Sequence, residues 1–223
     1  MRNLHHSVMR SAPVWRGVSG LLGLVMVWAA FVPPVATMNH AMLTGHMIQH
    51  LLLMTIAAPL MWLGVPLSAG GLRPPLALCW LAPTATLIVW HVPFVFMLAM
   101  QSGTWRAVEE LSFLSTGLLF WWPVVQRWPG VSGWLMILYL FLATLPCDIL
   151  SGFLVFSERV AYPVYFSTAQ TSALSVLADQ QCAGALMWTS VTVIYFVAAA
   201  ILSVQSCSLR EGSLRARLYK NVL

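Results

Sequence analysis

The chain has 223 residues, 60% of them hydrophobic and only 8% charged, with a formal net charge of +5. Charged residues make up about 25% of an ordinary soluble domain, so this composition excludes a water-soluble fold and leaves too little polar sequence for a separate soluble domain. The basic residues are spread one or two per connection, apart from Arg210, Arg215, Arg217 and Lys220 in the tail, which argues against nucleic acid as a partner and for membrane lipid.

A hydrocarbon core of ~30 Å takes about 20 apolar residues per helix. The chain is accordingly read as one all-α membrane domain, 1–223, with six spans at 17–37, 43–64, 76–99, 107–125, 132–156 and 182–205. The first apolar run follows MRNLHHSVMRSAPVWR, is longer than the h-region of a secretory signal and lacks an A-x-A site, so it is read as a retained helix. Threaded this way, Arg2, Arg10, Arg16, Arg73, Arg127 and the four bases of the tail share one side, and only Arg106 and Arg159 lie on the other. Nine against two predicts both termini inside. The outer connection 157–181, SERVAYPVYFSTAQTSALSVLADQQ, is too polar for a span and is expected to carry an interfacial or re-entrant helix.

Proline punctuates the spans at 59, 83, 93, 123 and 146, and each one frees a carbonyl four residues earlier. Pro93 follows His91, and Pro146 precedes Cys147 and Asp148, so two expected kinks fall where polar residues gather. Tryptophans at 62, 105, 121, 122, 128, 134 and 188 sit near span ends and are read as interfacial anchors. The four cysteines form no CxxC pair, and Cys79 and Cys207 fall toward the opposite face from Cys147 and Cys182, so no disulfide framework is expected.

The stretch MNHAMLTGHMIQHLLLM, 38–54, carries the chemistry. His46 and His50 are four residues apart and share a helical face. The same spacing extends to Met42 and Met54. Imidazole and thioether suit copper, the thioether favouring the cuprous ion. Polar groups inside a membrane are costly and face a partner or a cavity, which favours ligation over ordinary surface histidines. His91 lies 15 residues beyond Leu76, ~22 Å along a helix, which predicts three imidazoles at one level near the outer face. Glu109 and Glu110 are adjacent and about 100° apart on a helix, so at most one faces that cluster. Asp148 and Asp179 reach the same level. Carboxylates there either complete a mixed site or fix imidazole tautomers; for Asp179 the helix N-cap reading is preferred. His40 is left between ion capture and a solvated turn, and His5 and His6 are assigned nothing.

These motifs resemble a known family. GHMIQHLLLMTIAAPLMWLGVP at 45–66, WHVPF at 90–94, ELSF and GLLFWWPV within 110–124, and DQQCAGALMW at 179–188 are similar to the signature blocks of the CtaG-type cytochrome c oxidase assembly proteins of bacterial membranes. The resemblance runs from about 38 to 188. It implies a multi-pass protein of the bacterial inner (plasma) membrane, required in maturation of a haem-copper oxidase at the copper-delivery step, with oxidase subunits and copper donor proteins as partners. The residues it carries over are His46, Gln49, His50, His91, Asp179, Gln180, Gln181 and Trp188, with Gln49, Gln180 and Gln181 as supports around the ligands. Arg106 and Glu110 stand where the family pattern H-A-L-E-H-L-S-F has histidines, so two soft ligands of that pattern are here a cation and a carboxylate, of which the carboxylate can still ligate or pair with a protonated imidazole.

The expected function is therefore a non-enzymatic assembly factor holding copper through His46, His50 and His91, with Met42, Met54, Glu110, Asp148 and Asp179 as further candidate ligands. The alternative is a haem-binding electron-transfer protein with His50 and His91 as axial ligands. A metal-assisted hydrolase is disfavoured because no H-E-x-x-H motif is present. A copper permease needs a polar path to the inner face, where the spans are almost wholly apolar.

Overall fold

The computed structural model describes residues 14–66, 73–126, 128, 130–167 and 174–222, with side-chain surroundings for all of these except Asn39, His40 and 208–222. Arg2, His5, His6, Arg10 and Arg127 lie outside the described residues, as do the side chains of His40 and of the tail bases. Every regular element among the described residues is helical.

Helix α1 (Val14–Phe31) stops just before Pro33 and Pro34, which carry no amide hydrogen and disfavour helical backbone at the preceding residue. The first expected span, 17–37, is thus cut short at Phe31. A short α2 (Val35–Ala41) leads through extended Met42 (φ −145°, ψ 142°) into α3 (Leu43–Leu51). A π-helical turn, Leu52–Ala57, and then α4 (Ala58–Gly64) continue the rod. The widened turn leaves a carbonyl to be satisfied from outside: Trp121 Nε1 donates to the Met54 oxygen at 3.0 Å. Gly117 faces the same turn, and a Cβ there would come within 2.9 Å of Met54 Cα, so only glycine permits this approach.

Helices α5 (Leu76–His91) and α6 (Pro93–Gln101) meet at 78°. The expected span 76–99 is therefore sharply bent. Proline at 93 cannot donate to the Val89 carbonyl, which takes the Val92 amide in a tighter turn at 3.2 Å. Helix α7 (Gly103–Gln126) and α8 (Gly133–Phe156) follow, the latter with Ser132 as N-cap accepting from the Leu135 amide at 3.2 Å. After a 3-10 turn, Pro163–Ser167, α9 (Val176–Val222) starts six residues before the expected 182.

Among the described residues, four helical stretches are long and apolar enough to cross a membrane: Val14–Phe31, Leu43–Gly64, Gly133–Phe156 and Val176–Cys207. The bent pair of α5 and α6 makes a fifth if it is one span. Helix α7 matches α8 in length but carries Glu109 and Glu110, both buried. Leu21, Trp28, Phe94, Phe141, Ile149 and Phe196 point outward. Apolar groups outside and carboxylates and imidazoles inside invert the soluble pattern, as a hydrocarbon solvent requires.

Helix α9 lies along α8, α1 along α4, α5 along α7, and α3 against the start of α9. Trp134 is exposed, as an anchor would be, but Trp121 and Trp128 are buried in the core. Trp62 stacks on Trp122 with ring centroids 5.0 Å apart and donates to the Leu118 carbonyl at 2.7 Å. The indole N–H groups of Trp62 and Trp121 find partners inside the bundle, so position near a span end did not make these two interfacial.

Candidate metal centre

Helix α3 places His46 and His50 one turn apart, and both rings turn into the bundle with 1% and 5% exposure. Their Nε2 atoms lie 2.7 Å from each other. Glu109 of α7 brings Oε1 to 3.3 Å from both Nε2 atoms. Aromatic rings fix the imidazoles from the sides: Phe113 lies flat on His50 with centroids 3.9 Å apart, and Phe96 packs on His46 at 4.8 Å.

These three atoms can ligate one ion. Around a tetrahedral ion with bonds of about 2.0–2.1 Å, ligand atoms sit roughly 3.3 Å apart. Two of the three separations have that value; the histidine pair would open by about half an ångström, within reach of small side-chain rotations. Glu109 Oε2 and His50 Nδ1 are also buried without a hydrogen-bond partner among the described residues. An ionised carboxylate held in this way is costly unless a cation offsets its charge. The residues therefore fit a small cation, with nitrogen and oxygen donors that suit copper, zinc or iron.

The other sequence candidates separate. Glu110 turns away and accepts from Gln49 Nε2 at 3.0 Å, and the same amide donates to the Ala30 carbonyl at 3.0 Å. The carboxylate at the histidines is Glu109; which neighbour faces inward depends on the rotation of α7, fixed here by packing of Phe113 and Gly117. Met42 stands at the extended break before α3. Met54 lines an internal cavity of about 50 Å³ together with His50 and His91. Asp148 lines a different groove, between α8 and α9, with none of the histidines in its wall.

His91 does not join the three-atom group. Its Nδ1 lies 2.7 Å from the Leu87 carbonyl oxygen and its Nε2 3.5 Å from Met47 Sδ. The Phe113 ring packs edge-on against it at 6.4 Å while lying flat on His50. The ring of Phe113 and the Leu87 carbonyl decide which way His91 faces.

Asp179 caps a helix, though not its own. Its Oδ2 accepts from the Leu43 amide at 2.6 Å and its Oδ1 from the Thr44 amide at 3.2 Å and the Thr44 hydroxyl at 2.6 Å. It thus satisfies the N-terminus of the histidine helix α3. The start of α9 is served by Ser175, whose Oγ accepts from the Ala178 amide at 3.2 Å. Gln180 holds the outer connection: Oε1 accepts from the Ala161 amide at 2.7 Å and Nε2 donates to the Arg159 carbonyl at 3.2 Å. Gln181 is half-buried and makes no side-chain hydrogen bond among the described residues. Sequence reasoning passed over Met47, Phe113 and Tyr162. The Tyr162 hydroxyl donates to the His91 carbonyl at 2.8 Å, filling the α5–α6 bend from the connection that was expected to lie at the interface.

No curated protein and no solved structure matches the chain. One family model does, that of the cytochrome c oxidase caa3 assembly factor (CtaG), over residues 1–208. The match takes in α1 to α8 and all of the polar residues just described, and the chain belongs to this family of cytochrome c oxidase assembly factors.

Proposed function

We propose that this assembly factor takes copper as its cargo, holding one ion at His46, His50 and Glu109 and releasing it to a cytochrome c oxidase subunit. The observation that carries the reading is the convergence of three buried donor atoms, 2.7 to 3.3 Å apart, on two different helices. Three protein ligands leave one position of a tetrahedral ion open, which suits an ion that must be exchanged with a copper donor protein and an oxidase subunit. The carboxylate offsets the charge of the ion inside an apolar bundle. Assembly work of this kind is non-catalytic.

The membrane arrangement proposed is six spans with both termini inside, in the bacterial inner membrane, α7 being the span whose carboxylates face inward. The positive-inside distribution supports this orientation and puts the histidines toward the outer face, where the ion would be delivered. Against the haem alternative, Phe113 lies flat on His50, and the cavity shared with His91 is about 50 Å³, far smaller than a porphyrin.

The double variant His46→Ala, His50→Ala tests the reading. It should insert normally, carry less copper than the wild-type protein when both are purified, and lower the amount of active oxidase in cells, with partial recovery on copper supplementation. Wild-type copper content and oxidase activity in that variant would refute the assignment.

A further inference from the structure

A buried donor pair outside the three-atom centre joins α5 to α3. His91 Nδ1 lies 2.7 Å from the Leu87 carbonyl oxygen. A carbonyl only accepts, so Nδ1 carries the proton, and in the neutral ring Nε2 is left as a bare lone pair. That lone pair faces Met47 Sδ at 3.5 Å. A thioether has no hydrogen to give. Two acceptors therefore meet in a site where His91 is 5% and Met47 1% exposed. Acceptor against acceptor is unfavourable by itself and becomes favourable with a cation between them.

The separation suits such a cation. With bonds of about 2.0 Å to nitrogen and about 2.3 Å to sulfur, adjacent ligands on one ion stand roughly 3.5 Å apart. The surroundings narrow the choice of ion. Met47 and His91 line the cavity of about 50 Å³, and Met54, Met187 and Cys147 add three more sulfur atoms to its lining residues. No carboxylate is among those residues. Imidazole with thioether selects soft ions, cuprous copper foremost, whereas hard divalent ions prefer carboxylate and water. A chamber of that size admits an ion and a few water-sized ligands, but no organic cofactor.

We propose that Met47 and His91 form a second metal site, selective for a soft monovalent cation such as the cuprous ion and distinct from the harder centre containing Glu109. The proposal rests on the copper reading above for the cellular identity of the ion, while its donor geometry is independent of it. His50 belongs to the first centre and also lines this cavity, while His46 and Glu109 do not, so one imidazole stands between the two sites.

The test uses the full chain in detergent, titrated with silver(I), a redox-inert soft ion, and separately with copper(II). Met47→Leu conserves volume and is expected to weaken one equivalent of silver binding at least tenfold, leaving copper(II) binding unchanged. Glu109→Gln is expected to do the reverse. X-ray absorption of the silver-loaded wild type should show sulfur beside nitrogen, and the sulfur contribution should fall in Met47→Leu. If Met47→Leu binds silver with wild-type stoichiometry and affinity, the second site is overturned. Unchanged copper(II) binding in Glu109→Gln would overturn the first centre instead and leave the second standing. Should Met47→Leu fail to elute as a single species, His91→Phe carries the same comparison.

Discussion

One helix, α7, serves two different interiors. In its first half Glu109 and Phe113 face the histidines of α3 while Glu110 turns to Gln49; in its second half Phe120 and Trp121 pack into an aromatic cluster with Tyr139 of α8 and Tyr195 of α9. The polar half has directional bonds with particular partners, Glu110 with Gln49 and, beside it, Asp179 with the start of α3, while Glu109 stands 3.3 Å from two imidazoles without a hydrogen bond to either. The aromatic half is held by stacking, with Phe120 against Tyr139 at 4.9 Å and against Tyr195 at 5.2 Å. In the first, energy is concentrated in few contacts; in the second, it is spread over many atoms. Only the first brings unsatisfied donor atoms together, and function is expected to follow that division.

Substitutions sharpen the contrast. Asp179→Ala should have the largest effect on stability, about 3 kcal/mol or more, because charge-assisted bonds are worth roughly 1.5–3 kcal/mol each and two α3 amides lose their acceptor. Metal affinity should fall with it, since α3 carries His46 and His50. Thermal unfolding in detergent with and without metal measures both, and a variant that melts like wild type would show that the cap does not position the centre. Tyr139→Phe removes the hydroxyl that donates to the Phe120 carbonyl at 3.0 Å. It should cost about 1 kcal/mol while leaving metal content untouched, and altered metal binding would break the division between the halves. Glu110→Gln should cost less than about 1 kcal/mol, as the new amide oxygen can still accept from Gln49. Its metal binding should match wild type, in contrast to Glu109→Gln; loss of metal in both variants would mean that the carboxylates act together.

Much of this was legible in the residues. Apolar runs located the helices, and the spacing of His46 and His50 placed both on one face, because period and length depend only on local geometry. The choice between Glu109 and Glu110 was not legible. Adjacent positions differ by rotation of the whole helix, and that rotation is set by what Gly117 and Phe113 meet across the interface. Asp179 was recognisable as a capping residue, but the helix it caps is 136 residues away in the chain, and local sequence carries no trace of such a pairing. The direction of His91 depends on a tautomer fixed by the Leu87 carbonyl. Met47 gave no signal, being one methionine among twelve.

The π-helical turn at Leu52–Ala57 works as a phase-setter for the rod that contains it. Above it, His46 and His50 must face Glu109; below it, Gly64 must meet Gly20 so closely that a Cβ on Gly64 would lie 2.6 Å from the Gly20 Cα. Removing one residue from the turn would twist one end against the other by about 100°. Either the donor atoms would swing out of register or the glycine seam would come apart, so the angular offset stored in six residues ties the seating of the first helix to the aim of the imidazoles.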